Sequence, residues 1–116
     1  MEEVRISWKE FGELAEKLAE KIKLSGEEFD GVYGIPRGGL ALAVFLSHKL
    51  NLPFLAVPTK NSLVADDIAD TGITLKGLKY KKIAVLLSTE WTATKPDFSV
   101  KAKKTKNDWI VFPWEQ

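Results

Sequence analysis

The sequence predicts an α/β protein whose parallel sheet carries helices on both faces. Short apolar runs alternate along the chain with stretches of helical spacing, which is the order of a strand–helix–strand protein. The run from Ile83 to Ser88, IAVLLS, is apolar without interruption, as in a strand that is buried on both of its faces. Strands and helices that alternate in this way imply right-handed crossovers and parallel pairing.

Length and composition indicate one globular domain over residues 1–116. Hydrophobic residues make up 45% and charged residues 28%, as in an ordered globular protein. The formal net charge of +1 gives no overall attraction to nucleic acid or membrane, and no apolar run approaches the roughly 20 residues of a membrane span. The acidic, amphipathic N-terminus is unlike a signal peptide, so we expect a cytoplasmic protein. With no cysteine in the sequence, disulfides and thiolate metal sites are excluded.

The first element is predicted to be an amphipathic helix from Trp8 to about Leu24. Ser7 and Glu10 have the spacing of a capping box, and Ser25-Gly26 ends the pattern. Apolar residues recur at alternating three- and four-residue steps, at Trp8, Phe11, Ala15, Leu18 and Ile22. The charged residues on the opposite face are most simply a solvated surface. We therefore assign this helix to packing.

A glycine-rich turn follows the first predicted core strand, Phe29–Ile35. The residues Pro36-Arg37-Gly38-Gly39 lead into an apolar helix from about Gly39 to Leu50. The turn matches neither the dinucleotide-binding nor the P-loop glycine pattern. It is either a tight structural turn or a ligand loop. Arg37 favours the second, because a guanidinium can bind phosphate through two parallel hydrogen bonds.

The stretch LVADDIADTGITL, from Leu63 to Leu75, carries the strongest chemical signal. It follows the apolar segment Leu52–Val57 and begins as a buried strand, then meets three carboxylates and a Thr-Gly-x-Thr turn before a helical pattern. Backbone N–H groups in such a turn can bind an anion, whereas carboxylates repel a bare phosphate. The acids are therefore expected to handle hydroxyl groups, a metal ion or a proton. A sugar phosphate is the ligand that needs both the anion-binding turn and the acids. The simpler alternative is a structural strand followed by a helix with an acidic cap.

LVADDIADTGITL resembles the phosphoribosyl-diphosphate (PRPP) motif of the type I phosphoribosyltransferases. The resemblance implies that Asp66 and Asp67 hold the ribose hydroxyls and a Mg²⁺ ion, directly or through water. It implies that Asp70 handles the N7 proton of a purine. The residues implied to hold the ribose 5-phosphate are Asp70, Thr71, Gly72, Ile73 and Thr74.

The Pro-Arg-Gly-Gly turn resembles the pyrophosphate-binding loop of the purine members of that family. The resemblance implies that Arg37, Gly38 and Gly39 face the diphosphate together with Mg²⁺, and it makes Arg37–Gly38 the candidate for a non-proline cis peptide. The main departure from the family is the short connection Thr59–Ser62, where members usually carry a mobile loop that closes over substrate. We expect this catalytic loop to be shortened and the site to be closed by the tail or by a partner subunit.

The tail resembles the xanthine and guanine branch of the family in two places. A Lys-Pro pair at Lys95-Pro96 follows the IAVLLS strand, and Trp-Ile with a downstream Pro-Trp-acid lies at residues 109–115. The resemblance implies that Lys95 donates to a 6-oxo group, that Trp109 stacks on the purine and that the Ile110 backbone accepts from it, as a small hood. Stacking would contribute about 1–3 kcal/mol. The alternative for Trp109 is core packing, the role we assign to Trp114.

The resemblance implies a purine salvage phosphoribosyltransferase that transfers the ribose 5-phosphate of PRPP to a 6-oxopurine and releases diphosphate. Xanthine and guanine are favoured over hypoxanthine, and a homodimer or higher homo-oligomer is expected, without nucleic-acid or membrane partners. Two alternatives remain open from the sequence. One is a non-catalytic sensor or subunit that binds PRPP or a nucleotide, supported by the short loop. The other is an unrelated sugar-phosphate protein with a similar sheet.

Overall fold

The computed structural model describes residues 2–69, 79–89, 95–102 and 108–116. In chain order its elements are β1 (Glu2–Arg5), α1 (Trp8–Ser25), β2 (Val32–Gly34), α2 (Leu40–Leu50), β3 (Phe54–Leu55), β4 (Leu63–Ala69), β5 (Lys82–Ser88), β6 (Lys101–Ala102), β7 (Asp108–Val111) and a 3₁₀ turn at Pro113–Glu115. Five strands form a parallel sheet in the order β3-β2-β4-β5-β6, and β1 pairs with β7 in a separate two-stranded parallel sheet. The predicted α/β class with a parallel sheet is confirmed.

Helices α1 and α2 pack against each other and against one face of the larger sheet. The predicted capping box is present: the Glu10 N–H donates to Ser7 Oγ (3.1 Å), and the Ser7 N–H donates to the Glu10 carboxylate (3.3 Å). Helix α1 ends at Gly26, which has a left-handed backbone. The face of α1 that is buried is the predicted apolar one, at Phe11, Ala15, Leu18, Ala19 and Ile22.

Both faces of β4 and β5 are buried over Leu63–Ala65 and Ile83–Leu87, as these apolar runs predict. Ala65, Ala84 and Leu86 pack toward the two helices, while Val64 and Val85 belong to a second cluster on the opposite face. The helix predicted after Thr74 lies outside the described residues.

Two predicted strands are shorter in the structure than in the sequence pattern. The second, predicted over the apolar segment 52–57, pairs only at Phe54–Leu55, directly after Pro53, which has no N–H to donate. The first, predicted over 29–35, pairs only at Val32–Gly34. The connection Thr59–Ser62 is a compact turn in which the Ser62 hydroxyl donates to the Thr59 carbonyl (2.7 Å). This confirms that the catalytic loop is shortened.

The two edges of the larger sheet differ. Edge strand β6 presents the exposed Lys101, a residue type that discourages pairing with further strands, while Phe54 in edge strand β3 is 47% exposed. In the described part of the chain, no helix has both the length and the apolar character needed to cross a membrane.

Candidate active site

The carboxylates of Asp66 and Asp67, here called the acid pair, lie where β4 extends beyond its neighbour β2. Strand β2 pairs with β4 only as far as Gly34, opposite Ala65. The chain then turns away, after the Ile35 N–H has donated to the Ala65 carbonyl (3.0 Å). The acid pair therefore has β5 on one side and the turn at 36–39 on the other. This is the carboxyl-edge position that the sequence predicts.

Each acid is fixed by a hydrogen bond to the next backbone amide. The Asp67 N–H donates to Asp66 Oδ1 (2.9 Å), and the Ile68 N–H donates to Asp67 Oδ1 (2.8 Å). Burial raises the pKa of Asp66 to about 8, and the Asp67 carboxylate adds to the shift through repulsion. Burial also raises the pKa of Asp67, with a smaller repulsive contribution from Glu115. The pair therefore binds a proton, or a metal cation in its place, more readily than two solvated carboxylates do.

The turn Pro36–Gly39, here called the glycine turn, connects β2 to α2. Its non-proline cis peptide is Pro36–Arg37, so the expected position at Arg37–Gly38 is wrong by one bond. The turn is closed by the Gly39 N–H, which donates to the Ile35 carbonyl (2.8 Å). Within the described residues, the N–H groups of Arg37 and Gly38 have no backbone partner, so they remain as donors for a ligand.

Glycine is required in this turn because the loop touches β4 directly. A side chain at Gly39 would press on the Ala65 carbonyl oxygen and lie 3.0 Å from Asp66 Cα. A side chain at Gly38 would press on the Asp67 carboxylate, with Cγ 2.8 Å away. Gly39 therefore allows the turn to pack closely on β4, and its N–H is already bonded to the Ile35 carbonyl. Gly38 places a free N–H beside an acid of the pair.

Two cavities lie beside Asp67, and Glu115 lines both of them. The first, the loop cleft, has a volume of about 690 Å³ and is lined by Arg37, Gly38, Leu40, Ala41, Trp114 and Glu115. The second, the tail cavity, has a volume of about 230 Å³ and is lined by Asp67, Ile68, Asp108, Trp109, Ile110, Phe112 and Glu115. Because Gly38 lines one cavity and abuts Asp67, which lines the other, a ligand could extend from the loop cleft past the acid pair into the tail cavity.

Trp109 and Ile110, the two tail residues predicted to bind the purine and here called the base platform, both line the tail cavity. The Trp109 side chain is 61% exposed, so it is not packed in the core and offers a free aromatic face. The Ile6 N–H donates to the Val111 carbonyl (2.8 Å), so the N–H and carbonyl of Val111 both face β1. Since the peptide groups of successive strand residues point to opposite sides, the Ile110 N–H and carbonyl face away from β1. Both are then available to a ligand.

Trp114 packs as predicted, in an aromatic cluster. It stacks on Phe112, with ring centroids 5.1 Å apart, and meets Phe11 edge-on at 5.4 Å. Its indole N–H is buried without a hydrogen-bond partner in the described structure.

The structure does not bring every predicted residue to this site. Lys95 lines neither cavity, and the segment it begins joins the sheet at the start of β5, where the Asp97 N–H donates to the Ile83 carbonyl (2.9 Å). The predicted phosphate-turn residues lie outside the described residues: Asp70, Thr71, Gly72, Ile73 and Thr74.

Glu115 is a candidate that the sequence analysis missed. It lines both cavities, and its carboxylate accepts from the Phe112 N–H (2.8 Å). The available signal was the acid that follows Pro-Trp. Glu115 is far from Asp67 in the sequence, so nothing in the local pattern placed it near the acid pair. Within the described residues, Glu115 therefore adds a further carboxylate near the acid pair.

The acid pair provides a donor set that suits Mg²⁺, which prefers oxygen ligands and keeps several waters. The two carboxylates are neighbours whose joint ionisation is opposed by burial, so a divalent cation would offset their charge. In the described part of the chain, no group of three or more His, Cys, Asp and Glu side chains forms a closed metal cage. The residues therefore fit a cation that substrate and water also ligate.

Comparison with known proteins agrees with this geometry. No family model matches the chain. The xanthine-guanine phosphoribosyltransferase of Idiomarina loihiensis is 27% identical over 140 residues, covering 95% of this chain and 85% of that protein.

Two solved structures share the fold over nearly the full chain. The match to the xanthine-guanine-hypoxanthine phosphoribosyltransferase of Helicobacter pylori covers 97% of this chain and 93% of that one, at 23% identity and a TM-score of 0.81. A purine phosphoribosyltransferase from Pyrococcus horikoshii is 31% identical with a TM-score of 0.83, and the match covers 100% of this chain and 95% of that one. The chain therefore belongs to the type I phosphoribosyltransferases, a family of glycosyltransferases, and within it to the purine branch.

Proposed function

We propose that this purine phosphoribosyltransferase transfers the ribose 5-phosphate of PRPP to xanthine or guanine, with hypoxanthine as a weaker substrate, in cytoplasmic purine salvage. One observation carries the proposal: Asp67 lies between the glycine turn and the tail cavity that contains Trp109. A sugar held at the acid pair would have its diphosphate on one side and a base on the other. The preference among purines is supported by the xanthine-guanine enzyme of I. loihiensis.

The diphosphate is assigned to the glycine turn. The N–H groups of Arg37 and Gly38 and the exposed Arg37 guanidinium supply donors at the loop cleft, which has the volume of a small-molecule site. Gly39 allows the loop to approach β4. The ribose 5-phosphate is assigned to Asp70, Thr71, Gly72, Ile73 and Thr74, on the motif resemblance alone.

Mg²⁺ is assigned to the acid pair, together with the diphosphate. When bound, Mg²⁺ would neutralise charge on the leaving diphosphate. Asp66 and Asp67 hold the cation and the ribose hydroxyls, directly or through water. Glu115 faces the same region from the tail and adds negative charge there.

In the reaction, the bond between ribose C1 and the diphosphate oxygen breaks while a bond from C1 to a purine ring nitrogen forms. As diphosphate departs, C1 becomes cationic in character, and the carboxylates around it stabilise that charge. The purine gives up a proton, which we assign to Asp70 as general base.

The base is assigned to the tail cavity. Trp109 offers its exposed ring for stacking, and the outward-facing Ile110 carbonyl can accept from a ring N–H or a 2-amino group. Lys95 remains a proposed donor to the 6-oxo group on sequence resemblance, without support from the cavity lining.

We propose that the protein acts as a homo-oligomer. Leu40 and Val44, one turn apart on α2, are 37% and 47% exposed, and Leu40 lines the loop cleft. A second copy on this face would cover the cleft that the short Thr59–Ser62 turn leaves open. Sedimentation of the wild type and of Val44→Glu tests this: a fully active wild-type monomer would refute it.

A direct assay tests the proposed function. The protein is incubated with Mg²⁺, PRPP and each of xanthine, guanine, hypoxanthine and adenine, and nucleotide and diphosphate are quantified. We expect turnover with the 6-oxopurines, fastest with xanthine or guanine, and none with adenine. A protein that binds PRPP or nucleotide without any turnover would support the sensor alternative.

A further inference from the structure

Strand β7, which carries the proposed base platform, pairs with the N-terminal strand β1. Within the described residues, β7 pairs with β1 and with no strand of the larger sheet. The register is parallel, with Glu3 opposite Trp109 and Val4 opposite Ile110. In that part of the chain, the strand pairing that holds the backbone of the platform is therefore made by residues 2–5.

Ile6 is held by the tail at both of its backbone groups. Its N–H donates to the Val111 carbonyl (2.8 Å), and its carbonyl accepts from Gln116 Nε2 (2.9 Å). Its side chain is only 1% exposed, in the core cluster with α1 and α2. Ile6 thus joins the platform strand, and the segment after it that carries Glu115, to the rigid core.

The direction of each peptide group in β1 follows from the same hydrogen bond. The Ile6 N–H faces β7, so the N–H two residues earlier, at Val4, faces β7 as well. The intervening N–H, at Arg5, faces away. A proline at Val4 therefore removes a donor to β7, whereas a proline at Arg5 removes none.

We propose that β1 is a positioning element of the base site: Val4 and Ile6 hold β7 so that Trp109 and the Ile110 carbonyl face the acid pair. This inference rests on the proposed function for its substrate, but it concerns residues that touch neither cavity. Val4 and Ile6 orient residues that line the tail cavity. Substitutions that weaken their pairing with β7 should therefore impair binding of the base and leave binding of PRPP unchanged.

The experiment compares Val4→Pro with the matched control Arg5→Pro. We expect Val4→Pro to raise the purine KM about tenfold, with the KM for PRPP unchanged within about twofold, because one strand–strand hydrogen bond is lost. Arg5→Pro should resemble the wild type, since it loses only an exposed ion pair with Glu3. Gln116→Ala, which frees the Ile6 carbonyl, should raise the purine KM in the same direction.

Hydrogen exchange of the backbone amides separates positioning from general unfolding. The Val111 amide should lose protection in Val4→Pro, while amides of α1 and β4 keep theirs. Equal purine KM values in the two proline variants, or loss of β7 protection without any change in purine KM, would overturn the proposal.

The dissociation constant of GMP provides a readout that does not need turnover. An inactive wild type refutes the proposed function, yet a GMP affinity that falls about tenfold in Val4→Pro alone would still support positioning. A wild type that neither turns over nor binds GMP refutes both.

Discussion

Replacement of Gly39 by alanine is expected to separate the glycine turn from β4. The added methyl group would press on the Ala65 carbonyl oxygen and lie 2.9 Å from the Ile35 nitrogen and 3.0 Å from Asp66 Cα. All three atoms are backbone atoms of paired residues, so no side-chain rotation can relieve the contact. Overpacking of this kind costs about 1–3 kcal/mol, and we expect a value at the upper end. The affinity for Mg·PRPP should fall as the turn moves from the acid pair.

Two other glycines serve as matched controls. At Gly38 the nearest atoms to the methyl belong to the Asp67 side chain, which can move at the cost of its hydrogen bond to the Ile68 N–H, so Gly38→Ala should lose PRPP affinity with a smaller loss of stability, about 1 kcal/mol. At Gly12, in α1, nothing lies within 4 Å, so Gly12→Ala should stabilise the protein by about 0.5–1 kcal/mol and leave binding unchanged.

The measurements are urea unfolding followed by circular dichroism, and calorimetric titration with PRPP in the presence of Mg²⁺. A Gly39→Ala protein with the stability and PRPP affinity of the wild type would refute the assignment of close packing between this turn and β4. A Gly38→Ala protein that binds PRPP normally would remove Asp67 from contact with the ligand.

Three further substitutions test the acids and the platform. Asp66→Asn should flatten the pH dependence of stability: between the unfolded pKa of 3.8 and the folded pKa of about 8, the native acid holds a proton that the unfolded chain has released, so wild-type stability falls as pH rises. Urea titrations between about pH 5 and 7 give the slope of unfolding free energy against pH, and the slopes of wild type and Asp66→Asn should differ by about 1.4 kcal/mol per pH unit. Identical slopes in the two proteins would contradict a proton held by the acid pair. Trp109→Ala should weaken purine nucleotide binding by about 1–3 kcal/mol while Trp109→Phe retains most of it, and two equal affinities close to wild type would exclude stacking. Asp70→Asn should lower turnover by about 10²–10⁴ and leave nucleotide affinity within a few-fold, whereas undiminished turnover would remove Asp70 from the mechanism.

The parts of the site that the sequence predicts are those encoded within a few neighbouring residues. The acids of β4 follow a buried apolar run, and the glycine turn joins a strand to a helix, so local pattern alone places both at the carboxyl edge. The cis bond lies one residue away from its expected position because the resemblance locates a loop and not an individual peptide. Local pattern was also sufficient for α1, whose cap and apolar face are as predicted.

The parts that the sequence does not predict depend on distant pairing. Strand β1, with the sequence EEVR, is four residues long and has no apolar alternation, and its partner lies about a hundred residues later. The same holds for Glu115, which lies near Asp67 in the structure although the two residues are far apart in the sequence. The role of Lys95 stays a prediction, since a two-residue resemblance does not fix its place relative to the base site.

The compact turn before β4 has a consequence for the engineering of this enzyme. Ser62 is fully buried and exchanges hydrogen bonds with Thr59, so the turn itself does not tolerate a change in length, but Val57 just before it is 67% exposed. The entropy of loop closure grows only with the logarithm of length, and each doubling of the connection costs about 0.6 kcal/mol. A dozen residues inserted between Val57 and Pro58 should therefore be accommodated by the present core. The short connection is thus open to extension, and this chain can serve as a minimal scaffold on which loops from longer transferases are grafted and compared.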